Sequence, residues 1–292
     1  MSFQNLLVKV FLRLSNYKKR REKLSFEEKQ AENVPDAPPR IAGEFACETV
    51  SVEGAEGVWL ARENSGNGVL VYLHGGSYVS GPFAQQWEYL AAMCRLTKMA
   101  ALLIDYRLAP QNPFPGGLDD CLMLLETLSA IGDLPEKWFL LGDSAGAGLA
   151  VAVFYELRDA GISLPQKMIL MSGWYDLTVA NPEIQKNQNI DPMLSYENIV
   201  KSAAAYVGNE DAKNPLISPL FGDAGNLPPT LLQCGTADLL IFENRAFYQK
   251  CLQAGARVKY EEYDGLFHDF MMVALLPEAR AARKSQVEFL LS

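Results

Sequence analysis

From about residue 45 the chain alternates short apolar runs with helical stretches, and that alternation admits few folds. The predicted strands are Val69 to Leu73, Ala100 to Asp105, Trp138 to Gly142, Met168 to Met171, Thr230 to Cys234 and Val258 to Tyr263. Helical periodicity fills Gln85 to Leu96, Leu118 to Ala130, Ala145 to Asp159, Phe242 to Ala254 and Pro277 to Leu291. Strands this apolar, separated by helices, make a mostly parallel sheet covered on both faces. The expectation is therefore an α/β fold whose main domain spans 41–177 and 216–292. In such sheets the functional groups gather beyond the carboxyl ends of the strands.

Two stretches break the rhythm. In residues 1–40, Leu6, Leu7, Val10, Phe11, Leu14 and Tyr17 recur at helical spacing, with Lys9, Arg13 and Asn16 on the other face. A charged run, Lys18 to Lys29, and a proline-rich exit at Pro35 to Pro39 follow. This reads as one or two amphipathic helices and a linker, with the apolar stripe buried on the main body as a lid or packed helix. A basic amphipathic helix resting on a membrane surface is the competing reading. The second stretch, 178–215, is polar, with one helical segment at Tyr196 to Tyr206. It reads as an insertion that joins the N-terminal helices in a small helical cap.

Composition excludes several functions. About half of the 292 residues are apolar, enough for a sizeable core, and the net charge is −9. A nucleic-acid binder needs a basic face, so none is expected here. The five cysteines are spread without a C-x-x-C spacing, as buried thiols of a reducing compartment, not a disulfide framework or a metal site. No apolar run is long enough for a membrane span, the best candidate, Leu6 to Leu14, being interrupted by Lys9 and Arg13, and the unbroken apolar stretch and small-residue cleavage site of a secretory signal are not expected here. A cytoplasmic location is the default expectation.

The chemistry is concentrated in three places. Gly142-Asp143-Ser144-Ala145-Gly146 is a G-x-S-x-G element between a strand and a helix, the context a nucleophile elbow requires. Its flanking glycines permit a tight turn that exposes Ser144, and the Ala145 amide at the helix start can face an oxyanion. His74-Gly75-Gly76-Ser77 follows another strand, and the amides of Gly75 and Gly76 can point at developing negative charge. The chain has only two histidines, His74 and His268. His268 follows the last strand and is the expected base, because the base comes last in the order Ser144, Asp238, His268. His74 is expected to support its loop. Asp238 is the expected acid, with Glu243, Asp264 and Asp269 as alternatives. Tyr78, Val79, Tyr175 and Phe267 are candidate pocket residues, although aromatics at such places are as often core.

These motifs resemble the hormone-sensitive-lipase-like branch of α/β-hydrolase esterases. The resemblance rests on His74-Gly75-Gly76, Asp105-Tyr106-Arg107-Leu108-Ala109-Pro110, Phe114-Pro115, the Ser144 element, Trp174-Tyr175-Asp176-Leu177, Ser218-Pro219-Leu220, Gly235-Thr236-Ala237-Asp238 and His268-Asp269-Phe270, in family order. It implies the α/β-hydrolase fold and a carboxylesterase or lipase acting on small-molecule esters of short to medium acyl chains, without a cofactor. It also implies a triad of Ser144, Asp238 and His268 and an oxyanion hole from Gly75, Gly76 and Ala145. A homodimer through the last strand and helix would fit the family. Three places depart from the pattern: Ser77 replaces a third glycine, Gln111 a glutamate, and Leu239 and Phe242 a proline and an acid. Asp143 precedes the serine as in the family, as a structural or substrate-side group. Hydrolysis of a related amide by the same triad, or ligand binding without catalysis, are the rival functions.

Overall fold

A computed structural model describes residues 2–292. The chain opens with helices α1 (Phe3–Leu14), α2 (Tyr17–Lys23), α3 (Phe26–Gln30) and α4 (Pro39–Ala42). Then come β1 (Cys47–Val52), β2 (Ala55–Leu60), β3 (Val69–Leu73), α5 (Ala84–Thr97), β4 (Ala100–Asp105), α6 (Gly116–Ala130), β5 (Trp138–Asp143), α7 (Ala145–Ala160) and β6 (Lys167–Met171). After α8 (Tyr196–Val207) the chain completes the sheet with β7 (Thr230–Gly235), α9 (Ile241–Gln253), β8 (Val258–Tyr263) and α10 (Pro277–Leu291).

The eight strands form one sheet in the order β1-β2-β4-β3-β5-β6-β7-β8. From β4 to β8 the pairing is parallel, whereas β1 and β2 are antiparallel. Alternate side chains of the buried strands enter two cores. Val69, Val71 and Leu73 pack on one face with residues of α6 and α7, while Leu70 and Tyr72 pack on the other with residues of α5 and α10. The order reverses at β3, which lies between β4 and β5, so the loops after β3 and β5 open onto the crevice where such folds bind ligands.

The six predicted strands and five predicted helices are present within two residues at each end. The β1–β2 hairpin is an addition. Glu53 and Gly54 both have positive φ, 50° and 92°, as a two-residue hairpin turn demands. Glu-Gly is a weak turn signal, and the half-exposed β1 carries too few apolar residues to read as a strand. Cys94, Cys121, Cys234 and Cys251 are buried thiols, but Cys47 is only partly buried.

The orientation of α1 corrects the sequence reading. Its polar side docks on the body: Asn5 Nδ2 and Lys9 Nζ donate to Gly265 O at 3.2 and 3.1 Å, and Arg13 Nη2 donates to Ile190 O at 3.2 Å. Only Val8 and Leu12 of its apolar residues pack against the core. Phe3, Leu6, Leu7, Val10, Phe11 and Leu14 face outward, 42 to 78% exposed. Each forgoes on the order of 1 kcal/mol of burial, comparable to what each docking hydrogen bond contributes. The helix is held by its polar contacts, with its apolar stripe unburied.

Residues 178–215 contribute no strand. They hold a short 3-10 turn (Pro182–Asn187) and α8, and the segment meets the N-terminal helices at two places: Lys29 Nζ donates to Asn198 Oδ1 of α8 at 3.3 Å, and Lys18 Nζ donates to Gln188 O just after the turn.

Candidate active site

β5 runs directly into Ser144, which has φ 51° and ψ −120°. A residue with a side chain is held in such a conformation only at a cost of about 1–3 kcal/mol. Backbone bonds enforce it: Ser144 N–H donates to Met171 O at 2.8 Å, and Trp174 N–H donates to Ser144 O at 3.0 Å. A Cβ on Gly146 would lie 2.1 Å from Leu73 O, and one on Gly142 would lie 2.4 Å from Gly146 O. Only glycine lets α7 start this close to β3.

The loops after β7 and β8 bring two further groups to the serine. Ser144 Oγ lies 2.9 Å from His268 Nε2. His268 Nδ1 lies 3.1 Å from both carboxylate oxygens of Asp238. Asp238 is buried, and its Oδ1 also accepts from Leu240 N–H at 2.9 Å. The inserted segment braces this loop. Asn187 Nδ2 donates to Asp238 O at 2.8 Å, and Asp191 Oδ2 accepts from Leu239 N–H at 2.9 Å. Burial, with the Asp238 carboxylate as neighbour, pushes Asp191 up to about 6.

The alternative acids stand elsewhere. Glu243 Oε2 accepts from the amides of Tyr175 and Asp176, and the exposed Asp264 reaches only Thr236 Oγ1, at 3.4 Å. Asp269 does face the histidine, contrary to expectation for a sequence neighbour. Its φ of 50° turns its Oδ2 to within 3.1 Å of His268 Nε2, the nitrogen that also faces Ser144. Asp269 Oδ1 is buried without a partner. Burial alone would lower the His268 pKa, but Asp238 and Asp269 together raise it well above the ordinary histidine value. Burial raises Asp269 itself, against the opposing pull of His268.

The loop after β3 supplies amides. Gly75 is a correction: its N–H donates to Asp143 Oδ1 at 2.8 Å and is already engaged. Asp143 also accepts from Tyr72 Oη, and from Gln86 Nε2 at 2.9 Å. Burial, with Asp269 as neighbour, pushes Asp143 up to about 7 against the pull of these donors. Asp143 therefore clamps the loop against β5. Among the described residues no protein acceptor takes the amides of Gly76, Ser77 or Ala145. Gly76 at φ 134° leaves no room for a side chain, since a Cβ would lie 1.8 Å from Ser80 O. Ser77 adopts φ 58°, which explains why glycine suits that position in relatives of this pattern. His74 donates from Nδ1 to Gly75 O at 2.9 Å and stacks on Tyr106 at 4.3 Å between ring centroids. Burial drives its pKa down to about 4, so it stays neutral at physiological pH.

A cleft of about 910 Å³ opens onto Ser144 and His268. Val79, Asp143 and Phe267 line it, with Gly76, Ser77, Ile199 and, from the N-terminal helices, Val8, Phe11, Leu12 and Tyr17. Tyr78 and Tyr175 do not. Tyr78 stacks on Tyr206 of α8 at 3.8 Å, and Tyr175 stacks on Phe247 of α9 at 4.2 Å, so both are core residues. Sequence reasoning missed Gln86, Asn187 and Asp191. Asn187 and Asp191 are about 50 residues from the loop they brace, Gln86 reaches Asp143 from 57 residues away, and none carried a local signal.

A family model described as alpha/beta hydrolase fold matches residues 70–272. An acetyl-hydrolase of Streptomyces hygroscopicus is 34% identical over 80% of this chain and 79% of its own. An esterase of Acinetobacter venetianus is 31% identical over 82% of this chain and 80% of its own. A solved esterase of the bacterial hormone-sensitive lipase family superposes with a TM-score of 0.87 at 29% identity, over 99% of this chain and 98% of that one. The chain belongs to the α/β-hydrolase fold family and, within it, to the hormone-sensitive-lipase-like esterases.

Proposed function

We propose that this protein is a serine carboxylesterase that hydrolyses short- to medium-chain acyl esters through an acyl-enzyme. The observation that carries the reading is the relay from Ser144 Oγ to His268 Nε2 at 2.9 Å and from His268 Nδ1 to Asp238 at 3.1 Å, at the floor of the cleft. In the first step Ser144 Oγ bonds to the ester carbonyl carbon while its proton passes to His268 Nε2. Asp238 holds the Nδ1–H tautomer and stabilises the imidazolium. The amides of Gly76, Ser77 and Ala145 are the donors for the oxyanion, with Gly75 left out because Asp143 holds it. Collapse breaks the bond to the alkoxy oxygen, which takes the proton from Nε2 and leaves as the alcohol. Water then gives a proton to His268 Nε2 as its oxygen bonds to the acyl carbon, and collapse breaks the bond to Ser144 Oγ, which takes that proton back from Nε2, releasing the acid and restoring Ser144 and neutral His268.

The N-terminal helices and α8 act as a cap, since residues from both line the cleft above the serine. The size of the cleft suits a small organic ester.

The test is hydrolysis of p-nitrophenyl esters from acetate to palmitate by wild type and Ser144→Ala in parallel. Turnover of short esters by the wild type alone is the expected result. Turnover of anilides in place of esters would move the assignment to amides, and retained turnover in Ser144→Ala would overturn the nucleophile.

A further inference from the structure

The outward face of α1 and the charge that follows it are used by nothing in the catalytic reading. Phe3, Leu6, Leu7, Val10, Phe11 and Leu14 recur at three- and four-residue spacing, so they form one stripe along the helix, and all are exposed. Soluble surfaces seldom carry so continuous an apolar stripe without an occupant. Residues 2–23 hold seven basic side chains against one acid, Glu22, in a chain whose net charge is −9. Lys19, Arg20 and Lys23 of α2 are exposed, and none joins an ion pair among the described residues. The basic excess is thus confined to the segment that carries the apolar stripe.

The stripe is also continuous with the mouth of the cleft. Phe11, 68% exposed, and Leu275, 74% exposed, both line the cavity that leads to Ser144. An apolar face bordered by bases matches an anionic phospholipid surface, where apolar side chains sink below the headgroups and lysine and arginine stay at their level. A second copy of this chain would bring together two faces of like charge.

We propose that α1 lies flat on an anionic phospholipid surface, held by its apolar stripe and the exposed bases of α2, with the cleft mouth open to esters dissolved in the lipid. The delivery of esters rests on the esterase reading, whereas the docking does not. The polar bonds of Asn5, Lys9 and Arg13 to the body then fix the angle at which the active site meets the surface.

The test is flotation of the full chain with vesicles containing phosphatidylglycerol and with pure phosphatidylcholine vesicles. It uses wild type, Ser144→Ala, Leu6→Asp/Leu7→Asp and Lys19→Glu/Arg20→Glu/Lys23→Glu. Wild type and Ser144→Ala should float only with the anionic vesicles and be released at about 1 M salt, where screening extends only about 3 Å. The triple charge reversal should weaken partitioning by about 100-fold or more. The double aspartate variant should also be released, with circular dichroism and turnover of soluble p-nitrophenyl acetate unchanged in both. Failure of wild type to bind, equal binding to neutral vesicles, or full binding by either variant overturns the proposal. So does a wild-type dimer in sedimentation velocity that Leu6→Asp/Leu7→Asp converts to monomer, because a second copy is then the occupant. Vesicle binding without ester turnover would leave the docking intact and remove only the esterase reading.

Discussion

Each reactive side chain has its state set by a few named neighbours. His268 carries a carboxylate at each nitrogen, Asp238 at Nδ1 and Asp269 at Nε2, with Asp191 behind the first and Asp143 beside the second. Only neutral His268 can take the Ser144 proton. Because these carboxylates favour the imidazolium, the acid limb of kcat/KM should lie above the ordinary histidine value of about 6.5. Asp269→Asn removes a negative charge near Nε2, lowers the His268 pKa and should move that limb to lower pH. A pH–rate profile of the variant measures this, and an unmoved limb would deny Asp269 its electrostatic role. Asp238→Asn should retain the fold yet slow kcat by about 10⁴, since it favours the wrong tautomer. Near wild-type turnover would mean another acid serves. Ser144→Ala should cost on the order of 10⁶ in kcat if the three groups act as a unit, as single-turnover assays would reveal.

At the scale of elements, the site depends on how closely α7 meets β3 and β5. Gly146→Ala forces a methyl to within 2.1 Å of a strand carbonyl, so either the helix or the strand must move. Overpacking against backbone should cost about 3 kcal/mol or more, read as a lowered midpoint in urea unfolding. A neutral result would show that the elbow is looser than its contacts imply. The strands that carry the His74 and Ser144 motifs, β3 and β5, were legible in the chain because their residues are buried on both faces and read as largely apolar runs, as Val69 to Leu73 does. The β1–β2 hairpin was not, because β1 is half-exposed and its pairing with β2 is set by a two-residue turn that only backbone geometry identifies.

For the whole molecule, the cleft is an assembly of distant segments. Val8, Phe11, Leu12 and Tyr17 come from the start of the chain, Ile199 from α8 and Phe267 from the loop after β8. Removing residues 2–23 should therefore lower kcat/KM for octanoate esters relative to acetate, with the circular dichroism of the sheet and its helices retained. An unchanged ratio would make the N-terminal helices a packing element with no part in the acyl wall. Membership of the α/β-hydrolase fold family sets the expectation for the sheet, but the wall of the cleft depends on how this chain's own N-terminal helices lie.

The sequence by itself determined the layered α/β architecture and pointed to the serine elbow and the late histidine, with Asp238 favoured among four acids. These follow from short-range patterns: apolar runs, glycines where no Cβ fits, and the order of motifs along the chain. Tertiary structure alone decided that Gly75 is engaged by Asp143, that Asp269 faces Nε2, that Tyr78 and Tyr175 are core, and which side of α1 meets the body. Amphipathic spacing states that a helix has two faces. Which face docks depends on carbonyls such as Gly265 O, 256 residues away from Lys9 along the chain, and no local pattern encodes that distance.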